Sequence, residues 1–478
     1  MSLAKKIAKG TSVIACSEVI TQGCILLRNI ILARALTKAD FGVAAMIGMT
    51  VSLMEIGGRL SIENLVVQSR EGDQPRFVAV AHAVRALLGL VSGLLILLAA
   101  APIAVLFKVP DAAWAFRAIA LVPIINSLSS LDVYRMRREM RFGPGVLIEI
   151  IPQMIITLAV WPMTRIWHDY SVIVWLLLIR QVASTAASHL VAERHYRWSY
   201  QESAIKSIFD FGWPMMINGL LLFCIMQGDR FVVGIGFSAA DLGSYAIAGT
   251  LALLPSATLL NIFGSLLLPL LAETRDNFTL YLKRVERSFE MLSLCSSIYA
   301  VVLIVAGEAL VTLIFGAKYK DAGAITAWFG LAQALRLLRS VPITAAVAKG
   351  DTKNLMWSNL YRLMGFFAAV PAAFMGASLS MIAACAVLGE AVASVGSFWH
   401  FYRRQVVPLN IFIRSWLLAA VIIGMSGLLI LFGITTITSW MPFVVSSIMI
   451  FFAIAVYLFF FKELRAVVVS KLIPALLN

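Results

Sequence analysis

The chain has 478 residues and a formal net charge of +14, and 61% of its residues are hydrophobic whereas only 13% are charged. Soluble globular domains are about half apolar and about a quarter charged, so this composition excludes an ordinary soluble protein and predicts an all-α polytopic membrane protein. A membrane-spanning helix needs about 20 mostly apolar residues, and we predict about 14 such transmembrane helices. They cover residues 10–33, 42–65, 78–100, 112–132, 145–165, 171–192, 211–235, 243–270, 289–315, 322–347, 355–375, 379–402, 415–438 and 443–461.

The first span follows Lys5, Lys6 and Lys9, an arrangement that resembles a secretory signal peptide. Its apolar stretch is longer than the roughly 7–15 residues of a signal-peptide core, and further spans follow, so we predict a retained first helix. All five cysteines lie within predicted spans without paired spacing, and the sequence contains no nucleotide-binding or zinc-binding motif. We therefore expect no disulfide, no metal site, no cofactor and no enzymatic activity.

A repeated motif indicates that the chain consists of two related halves. Residues 36–42, LTKADFG, recur 201 positions later as residues 237–243, FSAADLG. The offset corresponds to six predicted helices, an even number, so the halves have the same orientation and form a parallel repeat. We predict two six-helix lobes, a cytoplasmic linker between them, and two accessory helices, 13 and 14, with a cytoplasmic tail. The lobes are residues 1–192 and 211–405, the linker is residues 193–210, and the accessory helices with the tail are residues 406–478.

Each copy of this motif also has a local structural explanation. In the first copy, Thr37 precedes Asp40 by three residues, which is the capping-box arrangement of a helix start. The following Gly42 would permit close helix packing near the membrane surface. The second copy has the same three features, and a gating role for the motif remains an alternative.

Basic residues are distributed unevenly between the two predicted sides of the membrane. Of the 39 lysines and arginines, nine lie within spans and 24 lie on the side of the N-terminus. Only six lie on the opposite side: Arg34, Lys38, Lys108, Arg165, Lys318 and Lys320. Because positive charge accumulates on the cytoplasmic side, we predict a multi-pass protein with both termini in the cytoplasm. The basic loops are then topology signals and anionic-lipid contacts, so the lipid bilayer, and not nucleic acid, is the expected partner.

Arginines within the spans are the main candidates for substrate binding. Ionisable groups in a membrane are costly and usually face a cavity or a partner. Arg180 in span six, and Arg336 and Arg339 in span ten, lie near mid-span, where they cannot easily reach water. Guanidinium groups bind phosphate oxygens in a bidentate manner, so a cationic cavity suited to an anionic substrate is predicted. Arg28 and Arg230 lie at corresponding depths in the two halves and belong to the same predicted set.

The remaining charges within spans have competing interpretations. Glu55 and Arg59 are four residues apart with the acid first, which predicts a structural ion pair or a gate, and Asp229 is placed in the same group. Glu18 and Glu390 could bind a proton or a sodium ion and couple transport to its gradient. Alternatively, both are neutral acids that hydrogen-bond to a neighbouring helix.

Two further arginines, Arg85 and Arg362, lie one to two turns from the cytoplasmic ends of their spans. Long basic side chains at this depth can extend to the membrane interface. We therefore predict no specific role for either residue.

Several stretches resemble the bacterial polysaccharide transporter family, the Wzx-like oligosaccharide flippases. They are residues 30–42 (IILARALTKADFG), 228–231 (GDRF), 240–246 (ADLGSYA), and 313–316 (LIFG) with Tyr319. The similarity runs from the N-terminus to about residue 350. This family belongs to the multidrug/oligosaccharidyl-lipid/polysaccharide exporter (MOP) superfamily, together with the multidrug and toxic compound extruders and the peptidoglycan-lipid flippase.

The resemblance implies two six-helix lobes around a central cavity, working by alternating access. It implies transport of an undecaprenyl-pyrophosphate-linked oligosaccharide across the bacterial inner membrane. The oligosaccharide would supply exopolysaccharide, capsule or O-antigen (lipopolysaccharide) synthesis. A polysaccharide polymerase or copolymerase is a compatible partner for that role. One alternative is an extruder-like, cation-coupled antiporter of small molecules, which would favour an acidic, aromatic cavity. The other is a membrane-embedded glycan polymerase, which the short predicted outer loops disfavour.

Overall fold

A computed structural model of the chain describes residues 3–431, 440–461 and 465, and the side chains of residues 3–15, 57–59 and 429–431 are not described. All regular elements in these ranges are helical, as the composition predicts. The chain divides into two compact units, Met1–Gly243 and Ser244–Asn478. The predicted lobes, linker and accessory region stay predictions, and the predicted tail, residues 462–478, lies outside the described residues apart from residue 465.

The first unit contains ten helices in the part of the chain that is described. They are α1 (Leu3–Ala35), α2 (Lys38–Arg59), α3 (Ile62–Gln68), α4 (Pro75–Leu106), α5 (Ala113–Ala118), α6 (Leu121–Ser127), α7 (Asp132–Arg138), α8 (Gly143–Ile166), α9 (Ser171–Val191) and α10 (Glu202–Gly236). Helix α8 packs against α1 and α9, and α4 packs against α2, α5 and α6. The next helix, α11 (Ala239–Ala272), begins in this unit and continues into the second.

Two predicted spans of the first unit are not continuous helices. The second span is broken between α2 and α3, where Leu60 and Ser61 have φ angles of 41° and 49°. A left-handed conformation cannot continue a right-handed helix and is unfavourable for residues with a Cβ, so α2 ends at Arg59. The predicted fourth span, residues 112–132, is divided into α5 and α6, and α7 follows at a bend of 49°. These breaks bring loop and helix-end residues into the interior of the unit.

The two copies of the repeated motif form the predicted helix caps. The Thr37 hydroxyl accepts a hydrogen bond of 3.1 Å from the backbone N–H of Asp40 at the start of α2. At the start of α11, the Ser238 hydroxyl accepts one of the same length from the backbone N–H of Asp241. Such caps satisfy backbone donors that a helix leaves unpaired at its first turn, so the capping-box interpretation is confirmed.

These two helix starts also contact each other within the first unit. A Cβ at Gly42 would overlap the carbonyl oxygen of Ala239, and a Cβ at Gly243 would overlap the carbonyl oxygen of Lys38. Residues 38 and 42 correspond to 239 and 243 in the repeat, so the contact is reciprocal, as in an interface with twofold symmetry. The glycines are therefore required for the close approach of the two backbones.

The second unit contains the rest of α11 and seven further helices in its described residues. They are α12 (Phe278–Val305), α13 (Gly307–Phe315), α14 (Ala322–Ala348), α15 (Lys353–Phe374), α16 (Leu379–Gln405), α17 (Asn410–Leu431) and α18 (Met441–Phe460). Helix α14 packs against α12 and α16, and α15 packs against α16. The last two helices, α17 and α18, pack against α12. There Tyr457, which is fully buried, forms a hydrogen bond of 2.5 Å with Ser293.

Eleven described helices are long and apolar enough to cross a membrane. The number is twelve if the bent pair formed by Pro110–Ser127 and Asp132–Arg138 is one span. The protein is therefore a multi-pass membrane protein. Helices α14 and α15 are not among these eleven, although they have 27 and 22 residues, and each carries at least one arginine of the second unit's interior. The predicted total of fourteen spans and the cytoplasmic placement of the termini stay predictions.

Candidate functional site

A polar cavity of about 350 Å³ lies inside the first unit. Residues from α1, α2, α4, α6, α7, α8 and α9 line it, together with the loop before α7 and the loop before α8. Its charged lining residues are four arginines and two glutamates: Arg85, Arg137, Arg141, Arg180, Glu55 and Glu149. All seven of these lining helices carry candidate membrane spans or belong to the bent pair, and the cavity lining carries more positive than negative charge.

Arg85 on α4 forms the inner wall of this cavity. Its Nη2 donates a hydrogen bond of 3.0 Å to Oδ1 of Asn126 on α6, and lies 3.4 Å from Oε1 of Glu63 on α3. Asn126 Nδ2 in turn donates to Oε1 of Glu55 at 3.4 Å. Arg85 is only 4% exposed. The interpretation of Arg85 as a side chain that extends to the interface is therefore wrong, because Asn126 and Glu63 hold its guanidinium inside the unit.

Besides Glu55, which is described below, three of the predicted site residues lie at or near this cavity. Arg180 on α9 lines it. Arg28 on α1 lies close enough to Arg180 for their charges to repel each other. Glu18, also on α1, accepts a hydrogen bond of 2.8 Å from Gln22 and lies within electrostatic range of Glu149 on α8. The packing of α8 between α1 and α9 thus brings together charges that the sequence places far apart.

The remaining predicted residues of the first unit have different surroundings. Glu55 lines the cavity and accepts from Asn126, whereas the side chain of Arg59, its predicted partner, lies outside the described residues. On α10, Arg230 Nη1 lies 3.4 Å from Oε1 of Gln227, and the Arg230 backbone N–H donates to Oδ1 of Asp229 at 2.8 Å. Neither Asp229 nor Arg230 lines the described cavity.

A second charged cluster lies inside the second unit. Gly365 on α15 and Gly389 on α16 let these helices approach closely, since a Cβ on either would lie within 3 Å of the other helix's backbone. This approach places Arg362 Nε 2.7 Å from Oε1 of Glu390. Arg339 on α14 donates from Nη2 to the other oxygen, Oε2, at 2.8 Å. The interpretation of Arg362 as an interfacial side chain is therefore wrong, because it pairs with a buried carboxylate.

The third arginine of this cluster, Arg336, has a weaker connection. Its Nη1 lies 3.5 Å from Oε1 of Gln333, which also accepts a hydrogen bond of 3.0 Å from Ser256. Arg339 also donates to Ser358 on α15. With three arginines and Glu390, the cluster carries an excess of positive charge. The binding roles predicted for Arg336 and Arg339, and the coupling role predicted for Glu390, stay predictions.

Near the cavity, a network of ion pairs fixes the segment that follows α9. Arg135 on α7 donates to Oδ1 of Asp132 at 2.6 Å and to Oε2 of Glu193 at 2.9 Å. Arg141 lies 2.7 Å from Oε1 of Glu193. The hydrogen bonds from Arg141 and Arg135 hold the pKa of Glu193 below its ordinary value. The start of the predicted linker is thus attached to α7 and to the loop before α8.

Solved structures of MOP superfamily proteins share this fold. The structure of the lipid II flippase MurJ in an inward closed conformation matches with a TM-score of 0.73 and 13% identity, over 96% of this chain and 100% of that chain. An inward-facing multidrug resistance MATE family transporter matches with a TM-score of 0.61 and 14% identity, over 82% of this chain and 98% of the other. The class is therefore a multi-pass, all-helical membrane protein with a MOP superfamily fold.

The sequence comparisons identify the family. Residues 31–324 match the model of the polysaccharide biosynthesis protein family, and the chain belongs to that family. The succinoglycan biosynthesis transport protein ExoT of Rhizobium meliloti (strain 1021) is 24% identical over 405 residues, which are 80% of this chain and 78% of ExoT. The predicted resemblance to the polysaccharide transporters is thereby confirmed, and the protein belongs to a family of transporters and not of enzymes.

Proposed function

We propose that the protein moves an undecaprenyl-pyrophosphate-linked oligosaccharide from the cytoplasmic to the periplasmic leaflet of the bacterial inner membrane. The movement occurs by alternating access and supplies exopolysaccharide, capsule or O-antigen synthesis. Membership of the polysaccharide biosynthesis family supports this proposal, as does the similarity to ExoT, whose name assigns it to succinoglycan transport. If the bent pair is one span, α14 and α15 would bring the total to fourteen. An even number places both termini on one side of the membrane, which the bias of basic residues assigns to the cytoplasm.

The observation that carries the proposal is the positive charge of the cavity in the first unit. Four arginines and two glutamates line the cavity, and Arg28 lies close to one of these arginines, Arg180. Charges within membrane-spanning segments are costly to insert and are typically retained for function. A pyrophosphate group carries the complementary charge, and its oxygens match the planar donor geometry of a guanidinium. A small cationic drug, in contrast, would be repelled by this lining.

Energy coupling is proposed at carboxylates within the spans. Glu18 lies within electrostatic range of Glu149 in the first unit, and two carboxylates that share a site can exchange one proton between them. Glu390 is the weaker candidate, because guanidinium groups already occupy both of its oxygens. Polymerase or copolymerase partners are proposed from the same pathway, since a translocated repeat unit must be polymerised after transport.

The test is the leaflet location of the lipid-linked repeat unit in cells that lack the protein. Periplasm-restricted enzymatic labelling should detect little repeat unit in these cells, and the wild-type gene should restore labelling. Normal labelling in deletion cells that contain no second flippase would contradict the proposal. If such cells instead lose the efflux of small molecules, the extruder-like alternative is correct.

A further inference from the structure

One polar atom on the inner wall of the cavity has no hydrogen-bond partner. Nη1 of Arg85 is buried, and nothing in the described part of the chain accepts its hydrogens. The whole residue is 4% exposed and belongs to the lining of the cavity. An unpaired buried donor on a charged group is costly, and such groups are rare enough in folded proteins to require an explanation.

The other side of this guanidinium is fixed in place. Nη2 is bonded to Asn126 and lies beside Glu63, and Asn126 is itself bonded to Glu55. A guanidinium is planar, so fixing Nη2 also fixes the direction of Nη1. Arg85 is thus held in one orientation by Asn126 and Glu63, and its remaining donor, Nη1, is left without an acceptor beside the cavity.

The surroundings of Arg85 favour an anionic occupant. Arg137, Arg180 and the ion-paired Arg141 also line the cavity, and the hydroxyl of Ser184 adds a donor that can bind oxygen. A volume of about 350 Å³ is sufficient for a pyrophosphate group with part of an attached sugar. Phosphoryl oxygens combine the charge and the acceptor geometry that this donor set requires.

We propose that Arg85 forms the inner end of a pyrophosphate-binding subsite within the first unit. Nη1 donates to a phosphoryl oxygen, Arg180 balances the charge from α9, and Glu63 and Asn126 position the Arg85 guanidinium. The identity of the natural ligand, a lipid-linked pyrophosphate, rests on the proposed function. Binding of the pyrophosphate group itself does not depend on that function.

The experiment measures binding of inorganic pyrophosphate to the full-length protein in lipid nanodiscs by isothermal titration calorimetry. Arg85→Gln should weaken binding by about tenfold or more, the effect expected for one hydrogen bond to a charged group. Arg117→Gln is the matched control, because this exposed arginine on α5 does not line the cavity, and it should leave the affinity unchanged. A second titration with geranyl pyrophosphate distinguishes a lipid-linked ligand from a soluble one. Tighter binding of this prenyl compound would support a lipid-linked ligand. Tighter binding of inorganic pyrophosphate would support a soluble ligand.

A second variant separates ligand binding from a purely structural role of the pair. Glu63→Gln retains an acceptor for Arg85 but removes a negative charge, so it should tighten pyrophosphate binding. If Arg85 served only to pair with Glu63, both variants would lower the thermal unfolding midpoint and neither would change the affinity. That result, or no saturable binding by the wild-type protein, would overturn the subsite. Pyrophosphate binding that depends on Arg85 in a protein without flippase activity would instead contradict only the proposed function.

Discussion

Arg339 and Glu390 form an ion pair of 2.8 Å inside the second unit, with exposures of 4% and 5%. Arg362 occupies the other carboxylate oxygen of Glu390 at 2.7 Å. The carboxylate therefore joins α14, α15 and α16 through charges that have been removed from water. Removing one partner of a buried ion pair leaves an uncompensated charge, and this is more damaging than the pair itself is stabilising.

Replacing Glu390 tests this relationship. Glu390→Gln should lower the free energy of unfolding by about 3–5 kcal/mol, because Arg339 and Arg362 would remain buried without a counter-ion. Unfolding in detergent, followed by helical circular dichroism, measures the change. The control is Glu308→Gln, since Glu308 is 57% exposed and 3.6 Å from Lys320, and an exposed pair contributes about 1 kcal/mol at most. Equal stability of the two variants would show that Glu390 does not hold the helices together.

The reciprocal contact between the repeated motifs gives a second prediction. Gly42→Ala should reduce the yield of folded protein or arrest transport, because the added Cβ would overlap the Ala239 carbonyl oxygen. Gly48→Ala on the same helix is the control, since no atom lies within 4 Å of its Cβ position, and alanine is the better helix former by about 1 kcal/mol. Size-exclusion profiles and transport assays of both variants measure the effect. A Gly42→Ala protein that folds and transports normally would contradict the required close approach.

Acidification should release the segment after α9. The pKa of Glu193 is lowered by hydrogen bonds from Arg141 and Arg135. Its contribution to the stability of the folded segment is therefore fully present above the pKa of the unfolded state, and it is lost as the pH falls through the lowered pKa. The protection factors of residues 193–200 against hydrogen exchange, which are corrected for the intrinsic slowing of exchange in acid, should therefore fall at acidic pH in the wild-type protein. In Glu193→Gln, the protection factors should already be low at neutral pH and should change less on acidification. If the variant and the wild type respond alike, these bonds do not fix the segment.

The helical class, the family and one arginine of the cavity lining could be predicted from the sequence, whereas the partners of the buried arginines could not. Arg180 was identified from its depth within a span, and it lines the cavity. Depth misled for Arg85 and Arg362, because it measures the distance to the interface and contains no information on tertiary neighbours. Arg85 reaches an asparagine 41 positions away, and Arg339 reaches a glutamate 51 positions away. Only the packing of separate helices creates these contacts.

The helix breaks were missed for a related reason. Hydropathy averages over about 20 residues and cannot resolve a two-residue break such as that at Leu60 and Ser61. The sequence did contain a signal, since residues 57 and 58 are both glycine, and paired glycines weaken a helix. The division of residues 112–132 into α5 and α6 also had a signal, since Pro123 lies in the first turn of α6, and a proline cannot donate a hydrogen bond to the carbonyl four residues earlier, at the end of α5.

The most direct test of the central claim is flipping of a fluorescent undecaprenyl-pyrophosphate-linked oligosaccharide in proteoliposomes. A membrane-impermeant glycosidase reports how fast the lipid reaches the outer leaflet. We predict that the wild-type protein accelerates this step over protein-free liposomes, that Arg180→Gln lowers the rate by about tenfold, and that the control Arg117→Gln matches the wild type. A wild-type rate equal to that of protein-free liposomes, under either a proton or a sodium gradient, would contradict the flippase function.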